Sequence, residues 1–275
     1  MNYRLLLVIP LLLLIVSSGI LFLKSSSGTL DLDIDFKGGT QLTAETKTQI
    51  NAKNIENILK DYNANVRTGR GFKSYTLTIE FDSDIKASDV IGKLVENGYD
   101  LDYSIQTISP SLGESFFKQS RIALTLAFIF MGVVVFILFK KPLPSIYVIL
   151  AAFADIVEAL VFSQLFGIKL SLATFAALLL TLGYSVDTDI LLTTRVLKRE
   201  GELNEKIKTA FNTGITMSTT TLAAMTAMYF LTTSIVIKQI ASILLIALIA
   251  DLINTWMMNA VLLRWYVERR IKWKY

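Results

Sequence analysis

Residues 122–139 read IALTLAFIFMGVVVFILF, eighteen positions without a charge, closed by Arg121 on one side and Lys140 on the other. As an α-helix this run spans about 27 Å, close to the ~30 Å hydrocarbon core of a bilayer. Backbone in lipid has to satisfy its own hydrogen bonds, so the run reads as a transmembrane helix. Working outward, residues 5–23 are uncharged over nineteen positions. Four further runs lie near 145–167, 170–194, 215–237 and 240–263, broken by a few acidic residues but by no basic ones until their ends. The expected fold is a polytopic α-helical membrane protein with six transmembrane helices. Composition agrees, with 53% hydrophobic residues, 18% charged residues and a mean hydropathy of +0.53.

The chain has neither cysteine nor histidine. A disulfide framework, a thiolate nucleophile and a His-based zinc or haem site are therefore excluded, and no cofactor or metal is expected. The net charge of +4 calls for no nucleic-acid partner, because lysine and arginine collect in the cytoplasmic loops of membrane proteins. Residues 5–23 exceed the roughly 7–15 residues of a signal-peptide core and lack a following A-x-A site, so a retained anchor in the lipid bilayer is expected. The amino terminus, Lys140 and Lys141, residues 195–212 and residues 264–275 together hold 13 basic residues against 4 acidic ones. By the positive-inside rule both termini are cytoplasmic and residues 24–118 extracytoplasmic, in a cell membrane. The chain divides into a first helix (1–24), an outer α+β domain (25–118) and a five-helix bundle with cytoplasmic loops (119–275).

In the outer segment the pattern changes from continuous to alternating, the signature of half-buried strands. Leu30, Leu32, Ile34 and Phe36 alternate with Asp31, Asp33 and Asp35, which predicts a strand. Gly38 and Gly39 permit a turn into a second strand at 41–44. A helix is expected over 50–62, strands near 64–67 and at 75–81, a helix over 87–97, and a last strand at 103–107. Strand, helix, strand, strand, helix, strand is the ferredoxin-like order. That fold hosts many functions, and it serves equally as a spacer or as a docking surface.

Five acidic residues fall inside the predicted spans: Asp155, Glu158, Asp187, Asp189 and Asp251. A central Asp costs about 2.5–3.5 kcal/mol to insert, so these side chains must face protein or water. No lysine or arginine lies within the spans to pair with them, and an unpaired carboxylate in a dry site tends to hold a proton. They are candidates for a proton path, or else hydrogen-bonding glue between helices. Asp155 and Glu158, at i and i+3, share a helix face, whereas Asp187 and Asp189 point about 200° apart. Of these two, Asp187 is expected to lie deeper and to matter more, with Asp189 nearer water. Asp251, Asn254 and Thr255 lie together on the sixth span, and Asn259 extends that face. Small residues Ala223, Ala224 and Ala227 suggest a central fifth span.

Four stretches resemble the SecF family of the SecD/SecF group, in the resistance-nodulation-division (RND) superfamily. Asp35-Phe36-Lys37-Gly38-Gly39-Thr40 is similar to its DFxGGT motif, and Pro110-Ser111-Leu112-Gly113 to its GPxxG element. Gly183-Tyr184-Ser185-Val186-Asp187-Thr188-Asp189, running on to Arg195, resembles its fourth-span signature, and Ser218-Thr219-Thr220-Thr221 its Thr-rich fifth span. The resemblance implies a non-enzymatic subunit that pairs with SecD, associates with the SecY channel and helps a translocating polypeptide complete its passage, with coupling to proton movement as in RND relatives. Bacterial members read Asn-Asp-Thr where this chain has Asp187-Thr188-Asp189, and Thr213 replaces an arginine common at the start of the fifth span. Both differences are archaeal-like. Two other classes fit parts of the pattern: an RND-type half-transporter for a small molecule or lipid, and an intramembrane aspartyl protease using Asp187 with Asp155 or Asp251.

Overall fold

The computed structural model describes residues 3–71 and 74–272. Residues 1–2 and 273–275, the outermost parts of the two termini assigned above to the cytoplasm, lie outside the described residues. Helix α1 (Val8–Ser26) leads to a single helical turn, α2 (Ile34–Lys37). The sheet domain follows as β1 (Gly39–Thr46), α3 (Ala52–Ile58), β2 (Asn65–Arg70), β3 (Tyr75–Phe81), α4 (Ala87–Glu96) and β4 (Tyr103–Ile108). Its four strands are antiparallel in the order β2-β3-β1-β4, as the ferredoxin-like reading requires. Alternation sets its two faces: Leu42, Leu77 and Ile79 are buried against Ile55, Leu59, Val90 and Leu94 of the two helices. The opposite face carries Thr76, Thr78 and Glu80, which are also buried because that face looks onto the helix bundle.

The strand expected over 30–36 is absent. Leu32 makes an isolated parallel bridge to Leu170, and Ile34–Lys37 is helical. One of the aspartates that produced the alternation serves the turn instead: the Asp33 side chain accepts from the Ile34 amide at 2.7 Å as its N-cap. The first strand of the sheet is therefore the one beginning at Gly39.

The bundle comprises α5 (Pro110–Phe139), α6 (Pro142–Leu165), α7 (Leu172–Lys198), α8 (Leu203–Leu231) and α9 (Ile235–Ile253). A π-helical segment, Asn254–Asn259, continues α9 into α10 (Ala260–Lys272). Among the described residues five stretches, including Ile235–Arg269, are long and apolar enough to cross a membrane. The sixth expected span is α8, 29 residues long and rich in threonine. The chain breaks at 232–234, where Ser234 caps α9, so the last two spans part earlier than expected. The core lies among α5, α6, α7 and α9 around Val148, Leu178, Ile243 and Leu244. Helix α8 is not central: it buries only Ala210, Gly214 and Ser218, and Ala223, Ala224 and Ala227 are exposed. The hydroxyls of Thr216, Thr220 and Thr221 donate to carbonyls of their own helix, so they need no neighbour.

Two glycines join the sheet domain to α5. Gly38 has φ +79°, and a Cβ there would lie 2.7 Å from Cα and N of Pro110. A Cβ on Gly113 would lie 2.9 Å from the Gly38 nitrogen and 3.0 Å from the Phe36 carbonyl. The two motifs are thus one contact, closed by Phe36 packing at 5.2 Å on both Phe117 and Phe175.

Candidate functional site

Four of the five intramembrane carboxylates form one buried cluster. Asp155 and Glu158 on α6, Asp189 on α7 and Asp251 on α9 are each at most 1% exposed. The π-helical segment supplies many of their donors. Asn254 Nδ2 donates to Asp155 Oδ1 at 2.8 Å and to Glu158 Oε2 at 3.0 Å. Asn259 Nδ2 donates to Asp189 Oδ1 at 2.7 Å. The Thr255 hydroxyl lies 3.0 Å from Oδ1 of both Asp189 and Asp251. From α7, Ser185 donates to Asp155, and the Thr188 hydroxyl lies 3.2 Å from both Asp251 oxygens and 2.8 Å from the Ser185 carbonyl. A π segment widens a helix by one residue and recurs at functional sites. Here it turns Asn254 toward α6 while Thr255 and Asn259 face α7.

Among the described residues no lysine or arginine forms an ion pair with these carboxylates. Glu158 Oε1, Asp189 Oδ2, Asn254 Oδ1 and Asn259 Oδ1 are buried without a partner. The donors fall short for a further reason: a hydroxyl has a single hydrogen. Thr255 can donate to Asp189 or to Asp251, and the other contact becomes a hydrogen bond only if that carboxyl carries a proton.

Asp187 and Asp189 part as their spacing requires, but in the opposite sense to the expectation. Asp189 is fully buried, and Asp187 is exposed on the side of α8. Rotation of α7 against α6 and α9 decides this. Asp187 lines a cavity of about 230 Å³ together with Tyr184, Ser218, Thr221 and, at its inner wall, Asp251. Beyond the cluster, Arg195 Nη1 donates to the Thr209 carbonyl at 2.6 Å and ties α7 to α8. Gly183 has open space around it.

A second polar centre, unread in the sequence, fastens the sheet domain to the bundle. Glu80, 2% exposed, receives Arg67, Lys169 at 2.5 Å and Lys37 at 3.4 Å. Burial pushes its carboxyl up, but Arg67, then Lys169 and Lys37, outweigh that and hold it below the ordinary glutamate value. Next to it, burial and the Glu80 charge raise the Asp33 carboxyl. Gln239 of α9 donates to Asp33 Oδ2 at 3.2 Å, and Asp35 Oδ2 accepts from the Leu172 amide at 3.0 Å, at the positive end of the α7 dipole. The usable signal was Glu80 standing on the non-core face of an alternating strand, with Lys169 alone in a short connection.

Comparison with known proteins fits this architecture. The family profile described as "Protein export membrane protein SecD/SecF, C-terminal" matches residues 91–269. The protein-export membrane protein SecF of Methanolacinia petrolearia is 39% identical over 95% of this chain and 93% of its own. Those of Methanothermobacter thermautotrophicus (38%; 98% and 94%) and Methanocaldococcus jannaschii (37%; 98% and 98%) are similarly related. Among solved structures, SecDF of Thermus thermophilus, a translocon-associated membrane protein, superposes with a TM-score of 0.76 at 20% identity, which shows the fold. The match covers 97% of this chain but 38% of that one. Near-full-length similarity to these three archaeal proteins favours the export class over the permease and protease readings, and the chain belongs to the SecF family of protein-export membrane proteins.

Proposed function

We propose that this chain acts beside a SecD partner and the SecY channel in the late steps of polypeptide translocation, and that its buried carboxylates couple this to proton movement. On this reading the subunit moves a substrate rather than changing its covalent structure. The supporting observation is the Thr255 hydroxyl between Asp189 and Asp251. With one proton on the pair, both contacts are hydrogen bonds; with none, one is lost and two charges face each other in a dry site. Loss of the proton therefore favours separation of α7 from α9, and its return closes them. Asp187, in the cavity beside Asp251, is the point at which water meets the cluster. Positive-inside counting supports cytoplasmic termini and an extracytoplasmic residue range of 24–118.

The test is export by cells depleted of the native protein and supplied with variants at equal level, measured with the proton gradient intact and collapsed, alongside affinity purification. Wild-type protein should recover SecD and SecY and show gradient-dependent export. An Asp189→Asn, Asp251→Asn variant with wild-type, gradient-dependent export would refute the coupling and leave the family assignment intact.

A further inference from the structure

We infer that Lys118 and Arg121 on α5 form a binding site for the phosphate of an anionic membrane phospholipid, at the level where the sheet domain meets the apolar bundle. This goes beyond the export function and needs none of its steps. Arg121 is the last charged residue before the uncharged run 122–139, and Lys118 lies one turn earlier on the same face. With Ile122, Thr125 and Leu126 they line a surface hollow of about 490 Å³. Cations head it and apolar side chains continue below: Ile122, Leu126 and Ile129 are 49%, 46% and 55% exposed. A phospholipid has the same order, anion above and hydrocarbon beneath.

The cations are unspent within the chain. Among the described residues neither forms an ion pair, although Glu114 stands one turn before Lys118, and neither donates a side-chain hydrogen bond. Arg121 is nonetheless held in place, its guanidinium 4.8 Å from the centre of the Phe117 ring. Phe117 is in turn fixed by Phe36 and Phe175. An anchored guanidinium keeps its N–H donors free and suits two-point binding of phosphate, which a lysine cannot match. The apolar wall distinguishes a lipid from a free phosphate ion.

The test uses the full chain, purified with whatever proteins accompany it, in nanodiscs containing phosphatidylcholine with a minor fraction of phosphatidylglycerol. Native mass spectrometry then counts retained lipid. The wild type should retain phosphatidylglycerol selectively, and inorganic phosphate should not displace it. Lys118→Gln with Arg121→Gln should lower retention roughly tenfold, with unchanged thermal unfolding, and Arg121→Lys should fall between. Equal retention by wild type and double variant overturns the proposal. So does displacement by inorganic phosphate, which would mark an ion site, and so does loss of a co-purifying protein with lipid retained, which would assign the cations to a partner's carboxylates.

Discussion

Gly38 and Gly113 come so close that a methyl group on Gly113 would sit 2.9 Å from the Gly38 nitrogen. One lies before the sheet domain and the other after it, so the pair pins both ends of that domain to α5. Gly113→Ala should cost about 1–3 kcal/mol through overpacking. Gly38→Ala should cost more, because its positive φ adds strain. Thermal unfolding of the purified protein reads both, and insertion into the membrane should be unaffected.

Asp189→Asn should leave the protein inserted at normal level yet lower export roughly tenfold. The amide cannot take up or release a proton in the pair with Asp251. Asp187→Asn should lower export less, since that side chain is open to the cavity beside α8. Export rates of the two variants at matched abundance decide between them, and equal rates would count against the cluster as the working part.

Thr255→Val keeps the shape of the side chain and removes the hydroxyl between Asp189 and Asp251. Removal should leave two buried carboxylates without a shared partner, a loss of about 1–3 kcal/mol. Thr255→Ser should restore both stability and export, which a mere packing role for the methyl group would not predict.

Glu80→Gln should destabilise the sheet domain's seat on the bundle by roughly 2 kcal/mol, less than a fully buried pair because Arg67 and Lys37 keep contact with water. The folded-state carboxyl is held below its ordinary value of 4.5. Its contribution is therefore present above that pH and is lost as pH falls through the lower folded value. Asp33, raised by burial, has the opposite sign: it favours the folded state in acid and loses that contribution as pH rises through its folded value. Stability measured against pH should show wild type and Glu80→Gln drawing together as pH falls below 4.5, with a smaller Asp33 component in Glu80→Gln, which lacks the charge that helps raise it.

Cysteine at Lys60, an exposed residue of the sheet domain, should react with an impermeant maleimide in intact cells. The chain has no other cysteine, so the signal is unambiguous. Labelling only after permeabilisation would reverse the proposed orientation.

Strand β3 was legible residue by residue, because Tyr75, Leu77, Ile79 and Phe81 alternate over a buried face. Residues 30–36 alternate as regularly and form no strand. Their aspartates answer partners remote in sequence, such as the Leu172 amide and Gln239, which no local period reveals. Spacing established that Asp187 and Asp189 diverge but could not say which turns inward, since that depends on how α7 is rotated against its neighbours. The face of Asp251, Asn254, Thr255 and Asn259 was readable as a polar stripe. Its π-helical geometry was not, because the extra residue in the turn follows from what the stripe has to reach.

Helices α7 and α9 each carry a cluster carboxylate, Asp189 and Asp251, and near their other end a contact to the α2 turn that leads into the sheet domain, Leu172 to Asp35 and Gln239 to Asp33. They are levers. Asp189 lies 17 residues beyond Leu172, an arm of about 26 Å, so a 5° tilt pivoting at the carboxylate swings the far end by roughly 2 Å. That exceeds what a hydrogen bond can stretch before it breaks. On the proposed coupling, a proton arriving at the fulcrum becomes a stroke at the α2 turn beside the sheet domain, with the mechanical gain set by nothing more than helix length.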